Sequence, residues 1–100
     1  MVARPTNGMR PVHPGEILCK EFLEPLGMSV NALAMELRIP GTRLHEIVHE
    51  RRGITADTAV RLARYFGTTP ELWMTLQATY DLKTLPKRKE IEARVSPRAA

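Results

Sequence analysis

The sequence predicts an all-α domain of five helices joined by short connections. Apolar residues recur three and four positions apart along most of the chain, which is the spacing of one helix face. Pro, Gly, Ser and Thr interrupt this spacing at short intervals, where helices begin and end. Alternation of apolar and polar residues with β-branched side chains does not persist anywhere, so we expect no strand. With 100 residues, 43% of them hydrophobic, the chain can form one core and is too short for two.

The first helix follows residues 1–12, whose lack of periodicity predicts a disordered arm. His13 can cap this helix, and Pro14 suits the first helical position, where a missing N–H costs nothing. We expect Pro25 and Gly27 to end the helix. Its apolar face consists of Ile17, Leu18 and Phe22.

Two short helices follow, separated by a sharp break. Ser29 marks the start of the second helix, which must stop near Arg38 because Pro40 disfavours helical geometry in the residue before it. The third helix begins at Pro40 or Gly41, and we expect Gly53 to end it. The apolar faces are Val30, Leu33, Ala34 and Leu37 in the second helix, and Leu44, Ile47 and Val48 in the third.

The fourth helix has clear start and stop residues. Thr55 is its N-cap, and Asp57 lies in its first turn, where a negative charge meets the positive end of the helix dipole. Gly67 ends it. Its apolar face consists of Ala59, Leu62, Ala63 and Phe66.

The fifth helix begins at Thr69 and Pro70 and extends to about Leu82. Its apolar arc is wider than packing against one core requires, which predicts either a dimer interface or a filled edge of the core. The candidate interface residues are Leu72, Trp73, Leu76 and Tyr80. Residues 83–100 are predicted to be a solvated basic extension, within which residues 87–95 have helical character.

Residues 29–48 place a helix, a Pro-Gly break and a second helix within a short span, which is typical of a helix-turn-helix. The apolar residues of the third helix leave its opposite face polar, and a net charge of +4 suits a polyanionic partner. We therefore expect Thr42 and Arg43 to read bases of double-stranded DNA, and Arg51 and Arg52 to contact phosphates. The candidate DNA contacts are Ser29, Asn31, Thr42, Arg43, His45, Glu46, His49, Arg51 and Arg52.

The stretch from Pro14 to Leu82 resembles the HigA-type antitoxins of bacterial toxin–antitoxin pairs, a branch of the phage-repressor-like helix-turn-helix family. The resemblance rests on His13-Pro14-Gly15-Glu16, Leu33-Ala34, residues 53–59, Arg61-Leu62-Ala63, Phe66-Gly67-Thr68, Leu72-Trp73 and residues 76–82. It implies a five-helix, lambda-repressor-like domain over residues 13–82, a homodimer on a palindromic operator, and a repressor of its own operon. It also implies a RelE-like mRNA-cleaving toxin as partner, with an orphan regulator as the alternative. The family's recognition positions fall on Thr42, Arg43, His45 and Glu46.

Two positions depart from this family's usual pattern. Val30 stands near the start of the first motif helix, where phage repressors usually have Gln. Arg38 stands in the turn, where Gly is usual. A left-handed backbone at Arg38 would cost about 1 kcal/mol, so we expect a turn of different shape.

The same third helix contains a competing motif, since His45-Glu46-Ile47-Val48-His49 matches the zinc metalloprotease pattern H-E-x-x-H. Two His at i and i+4 share a helix face and could bind zinc while Glu46 activates a water molecule. Catalytic zinc needs a third protein ligand, for which only Glu71 and His13 are candidates, and neither belongs to a second motif. We therefore expect a chain with no catalytic residue, metal or cofactor.

Cellular location follows from weaker features. Cys19 is the single cysteine, which fits a reducing compartment. The first residues lack the apolar region of a secretory signal, and no apolar run approaches the about 18 residues of a membrane span. We expect a cytoplasmic protein without a membrane partner.

Overall fold

The computed structural model describes residues 10–99, and in that part of the chain it contains helices and no strand. The all-α prediction is confirmed: within residues 10–99 five helices form the predicted domain, and a sixth lies in the extension where residues 87–95 have helical character. Helix α1 is continuous, with α-helical ends at Pro14–Ile17 and Glu24–Leu26 and a π-helical middle at Leu18–Leu23. The others are α2 (Val30–Leu37), α3 (Gly41–Val48), α4 (Ala56–Phe66), α5 (Pro70–Thr84) and α6 (Arg88–Arg94).

Helix α1 begins as predicted and ends later than its proline suggests. The Nδ1 atom of His13 accepts a hydrogen bond of 2.9 Å from the backbone N–H of Gly15. Pro25 lies inside the last turn rather than after it. In a regular α-helix its ring would meet the carbonyl four residues back, and the wider π-helical turns before it relieve that contact. Gly27 then ends the helix in the left-handed conformation, with φ of +62°.

Helix α2 has the predicted start and stop. Ser29 Oγ accepts a hydrogen bond of 3.0 Å from the N–H of Ala32. The expectation of a turn of different shape is wrong, because Arg38 takes the left-handed conformation, with φ of +62° and ψ of +44°, in place of a glycine. The guanidinium of Arg61 in α4 donates a hydrogen bond of 2.8 Å to the carbonyl of Leu37 at this turn. That contact offsets part of the strain at Arg38.

Helix α3 begins at Gly41 as predicted, but the expectation that Gly53 ends it is wrong. The helix stops at Val48, and Glu50 reverses the chain with φ of +64°. The N–H of Glu50 donates to the carbonyl of Ile47 at 3.0 Å, and the N–H of Arg51 donates to that of Glu46 at 2.8 Å. These two hydrogen bonds form a Schellman motif, which satisfies the last carbonyls of the helix with Glu50 in the position expected for Gly53.

Helices α4 and α5 confirm their predicted caps. Thr55 Oγ1 accepts from the N–H of Thr58 at 3.4 Å, and Thr69 Oγ1 accepts from the N–H of Leu72 at 3.1 Å. Gly67 ends α4 with φ of +72°. Helix α5 continues to Thr84, slightly beyond the predicted end.

The core lies between α1, α2, α3, α4 and α5. Trp73 is fully buried at its centre, and its Nε1 donates to Thr68 Oγ1 at 2.8 Å. The phenyl ring of Phe22 packs between Phe66 and Trp73, with centroid distances of 4.7 and 5.3 Å. Because Trp73 has no exposed surface, it cannot contribute its side chain to the predicted dimer interface. The other fully buried large side chains include Leu18, Leu33, Leu44, Ile47 and Leu62.

The start of α1 packs directly on the last turn of α3. A Cβ atom added to Gly15 would overlap the carbonyl oxygen of Ile47. Next to it, the ring of His13 is buried and meets the ring of Tyr80 edge-on, with centroids 4.8 Å apart. The start of α1 therefore lies between the last turn of α3 and Tyr80 of α5.

The two ends of the described chain carry exposed ion pairs. Arg10 donates two hydrogen bonds to the carboxylate of Glu16, at 3.0 and 2.8 Å, and these bonds lower the pKa of Glu16. The predicted arm otherwise falls on residues 1–9, which lie outside the described residues. Helix α6, within the predicted extension, is exposed throughout and has an ion pair between Arg88 and Glu92. Over residues 10–99, no helix is long and apolar enough to cross a membrane.

Candidate nucleic-acid interface

Helix α3 presents one polar face to solvent. Leu44 and Ile47 are buried in the core, so the side chains on the opposite side of the helix project away from it. Thr42 and His49 are exposed, and His45 and Glu46 are half-buried. Exposed Arg51 and Arg52 follow the helix in the connection to α4. The structure thus places Thr42, His45, Glu46 and His49 on one polar surface, followed by Arg51 and Arg52.

Arg43 differs from the prediction, because its side chain turns toward α4 instead of outward. Its Nη1 lies 3.1 Å from Asp57 Oδ1, and only 29% of the side chain is exposed. The same carboxylate oxygen accepts a hydrogen bond of 2.7 Å from Arg61 Nε. The hydrogen bonds from Arg61 and Arg43 hold the pKa of Asp57 below its usual value. In the free protein Arg43 is therefore preorganised at the N-terminus of α4 rather than aimed at a ligand.

His45 of α3 is linked to α2, and it stacks on His49 just after the helix end. His45 Nε2 and Asn31 Oδ1 are 3.0 Å apart, so Asn31 joins the first turn of α2 to the middle of α3. The rings of His45 and His49 are stacked, with centroids 6.0 Å apart, and His49 Nδ1 donates to the carbonyl of His45 at 2.8 Å. Ser29, the other candidate contact in α2, already uses its oxygen as the helix cap.

Glu46 and Arg52 form an ion pair of 2.8 Å across the end of α3. The pair draws Arg52 back along the helix and offsets the negative charge that Glu46 would otherwise present to phosphates. Arg51 has no ion pair or side-chain hydrogen bond among the described contacts of residues 10–99. Its guanidinium therefore remains available to an incoming anion.

The zinc motif is not completed by other side chains. Within residues 10–99, no three His, Cys, Asp or Glu side chains come together that could hold a metal ion. His13, one candidate third ligand, is buried against Tyr80, and its Nδ1 already accepts from Gly15. Glu71, the other candidate, is exposed in the first turn of α5.

Three polar residues around the interface were missed by the sequence analysis. Asp57 was interpreted only as a partner of the helix dipole, and Arg61 and Gln77 had no assigned role. Gln77 could have been found, because it lies four residues from Trp73 and hence on the buried side of α5. Asp57 and Arg61 pair with each other at i and i+4, a helical spacing that the sequence does show. Their contacts with Arg43 and with the Leu37 carbonyl span 14 and 24 residues, so no local pattern reveals those.

The fold and the site together define a helix-turn-helix protein. The family model described as helix-turn-helix matches residues 20–73, more than half of the chain, and the chain belongs to this family. The matched segment includes α2, α3 and α4 and ends at the buried Trp73.

Within this family the chain is similar to HigA-type antitoxins. Virulence-associated protein I of Dichelobacter nodosus is 51% identical over 84 residues, which are 84% of this chain and 78% of that protein. A solved structure from Coxiella burnetii, described as an addiction module antidote protein of a HigA family, is 51% identical with a TM-score of 0.84. The match covers 90% of this chain and 100% of the Coxiella chain. Pseudomonas aeruginosa antitoxin HigA, solved with the higBA promoter, is 46% identical with a TM-score of 0.85 and the same coverage. The two solved relatives are described as an antidote protein and an antitoxin, and the second was solved with promoter DNA.

Proposed function

We propose that this chain is a sequence-specific repressor that binds an operator in its own promoter, and that it is a cytoplasmic protein without enzymatic activity. The observation that carries the proposal is the polar face of α3, held in place by the core on one side and by Asn31 and Asp57 at its edges. The similarity to a HigA antitoxin solved with promoter DNA supports the proposal, since the match covers the full length of that antitoxin chain.

In this proposal α3 enters the major groove and divides its contacts between bases and phosphates. Thr42 hydrogen-bonds a base edge, and Arg43 leaves Asp57 to donate two hydrogen bonds to a guanine. Arg51 and Arg52 contact phosphates. Glu46 accepts from a cytosine amino group only when Arg52 still offsets its charge.

The experiment measures binding of wild type and variants to promoter and scrambled duplexes across a salt series. Arg43→Ala should cost about 1–3 kcal/mol on the promoter and relax the preference at one base pair. Arg51→Ala should weaken binding to both duplexes alike and lower the salt slope by about one. Arg64→Ala removes an exposed arginine from α4 and serves as the control for lost charge. Unchanged specificity in both Thr42→Ala and Arg43→Ala would show that α3 does not read bases.

We also propose that the chain binds DNA as a homodimer. The face of α5 supports this, because Leu72 is 41% exposed while Leu76 and Tyr80 are half-buried beside it. Two recognition helices about 34 Å apart then match a palindrome with half-sites one turn apart. Sedimentation equilibrium should give twice the 11.3 kDa chain mass. Leu72→Asp should shift this species toward monomer without unfolding it, and a wild-type monomer on DNA would refute the dimer.

The partner we propose is a RelE-like mRNA-cleaving toxin, neutralised by this chain as its antitoxin. The similarity to two proteins described as antitoxins or antidotes supports this role. Co-expression with the product of an adjacent gene should relieve growth arrest and yield a copurifying complex. If no adjacent gene encodes such a toxin, or no complex forms, the chain is an orphan regulator and its operator binding stands unaffected.

A further inference from the structure

Gln77 is a polar residue on the buried side of α5, where the rest of the contact surface is apolar. Its side chain and backbone together are only 9% exposed. Its Oε1 accepts a hydrogen bond of 2.6 Å from the N–H of Ile54, and its Nε2 donates one of 2.8 Å to Asp81 Oδ1. A backbone N–H can only donate and a carboxylate can only accept, so these partners fix which end of the amide faces which group.

The segment that Gln77 contacts is the connection between α3 and α4. Gly53 lies directly against the side-chain amide of Gln77. A Cβ atom at Gly53 would come within 2.9 Å of the carbon, nitrogen and oxygen of that amide. Ile54 is buried beside it, whereas residues 50–52 are exposed. At its other end this connection is fixed by the Schellman motif that closes α3 at Glu50. Arg51 and Arg52 therefore lie between two fixed points.

We propose that Gln77 is a positioning residue for DNA binding: it holds the backbone of residues 53–54 so that Arg51 is presented to a DNA phosphate. This inference rests on the proposed operator binding. Asp81, one turn further along α5, holds the Gln77 amide in its orientation. Removing that amide releases the connection at residues 53–54, while the Schellman motif still holds its other end at Glu50. Leu44 and Ile47 are fully buried in the core, so we expect α3 to keep its position when Gln77 is replaced.

The central variant is Gln77→Met, which keeps the length and helix preference of the side chain and removes both hydrogen bonds. It should weaken binding to promoter and scrambled duplexes by the same factor, about tenfold at low salt, and lower the salt slope by about one. Thr75→Met on the exposed side of α5 is the matched control and should bind as wild type. A change in the ratio of promoter to scrambled affinity would contradict the proposal, because phosphate contacts carry no sequence information.

A double-mutant cycle separates positioning from general loss of folding. In an Arg51→Ala background, Gln77→Met should have almost no further effect, because the contact that Gln77 positions is already missing. An undiminished effect in that background would overturn the proposal and assign Gln77 to the fold as a whole. A pair of substitutions that reverses the hydrogen bond between Gln77 and Asp81 tests whether DNA binding is restored. Gln77→Glu alone places two carboxylates together and should weaken binding, whereas Gln77→Glu with Asp81→Asn should restore it.

Hydrogen exchange of the Ile54 amide reports the contact without DNA. Gln77→Met should speed this exchange at least about tenfold relative to amides of α3. If wild type does not bind its promoter, the proposed function fails while this measurement still tests the contact. Unchanged Ile54 exchange in Gln77→Met, or faster exchange with unchanged DNA affinity, would overturn the positioning role. If Gln77→Met does not fold, the comparison of Gln77→Glu with and without Asp81→Asn decides.

Discussion

Two helix pairs in this chain share a sequence pattern and differ in their surroundings. In both α2–α3 and α5–α6, apolar residues at helical spacing lie on either side of a short connection that contains a proline. Most apolar residues of the first pair are buried, among them Leu33, Leu37, Leu44 and Ile47, although Met35 is exposed. Those near the connection of the second pair are 45% to 66% exposed, namely Leu82, Leu85, Ile91 and Val95. The pattern predicts helices, but burial depends on other elements, here α1 and α4, which pack on α3 and α2.

The largest expected effect is the difference in unfolding free energy between a leucine substitution in α2–α3 and one in α5–α6. Leu44 is 0% exposed, and Leu44→Ala should lower the free energy of unfolding by about 2–5 kcal/mol, since it leaves a cavity in the core. Leu82 is 54% exposed, and Leu82→Ala should change the free energy of unfolding by less than about 0.5 kcal/mol. Urea unfolding of both variants at low protein concentration gives the comparison. A large loss for Leu82→Ala would mean that the α5–α6 pair is covered in solution.

The second effect concerns the support of the α2–α3 turn by α4. Arg61→Ala removes the hydrogen bond to the Leu37 carbonyl and one ion pair of Asp57. Because the side chain is partly exposed, we expect a loss of about 1 kcal/mol in unfolding free energy. Arg64→Ala, one turn further along the same helix, should change it by less than about 0.5 kcal/mol. Equal values for the two variants would show that α4 does not stabilise the turn.

A smaller effect is expected from the left-handed residue in that turn. Arg38→Gly should raise the free energy of unfolding by up to about 1 kcal/mol, reduced by the greater freedom of glycine in the unfolded chain. The matched reverse change is Gly67→Ala at the end of α4, where a Cβ atom would meet no other group and only the backbone conformation opposes it. Gly67→Ala should lower the free energy of unfolding by about 1 kcal/mol. Thermal unfolding of both variants measures the pair, and a destabilised Arg38→Gly would show that the Arg38 side chain has a favourable contact of its own.

The smallest effect is a pH dependence at His13, where α1 meets α3 and α5. Burial lowers the pKa of His13, and the charges of Glu50 and Asp81 oppose this shift only partly. A His with a lowered pKa in the folded state stabilises the fold fully above its unfolded pKa of about 6.5 and loses that contribution as the pH falls through its folded value. Urea unfolding should therefore give a lower free energy at acidic than at neutral pH. His13→Asn retains a capping oxygen and should show a smaller difference, and an equal one would assign the dependence to other groups.

Most helix boundaries were predictable because they depend on neighbouring residues. Ser29, Thr55 and Thr69 cap their helices through side-chain oxygens that bond an N–H three positions away. The end of α3 was not predictable in this way, because Glu50 adopts the left-handed conformation that usually marks a glycine. The glycine that does occur nearby, Gly53, is required by the approach of Gln77 and not by the helix end.

The residues of the candidate interface were predictable as a set, and their orientations were not. The buried face of α3 follows from the spacing of Leu44 and Ile47, and that spacing determines which positions face outward. The contact between Arg43 and Asp57 joins α3 to α4 across 14 residues, and the contact of Gln77 with Ile54 spans 23. Only the packing of the helices brings such groups together, so local sequence patterns cannot reveal them.

The close contacts of Gly15 and Gly53 have a consequence for changing the preferred DNA sequence. Each glycine abuts a group that cannot move freely, the carbonyl of Ile47 or the buried amide of Gln77, so neither site accepts a side chain without rearrangement. Thr42 and His49 lie between these two glycines in the sequence and are exposed, so we expect both positions to accept side chains of other sizes. A library of variants should therefore randomise the outward positions of α3 and leave both glycines fixed, so that new specificities arise on an unchanged scaffold.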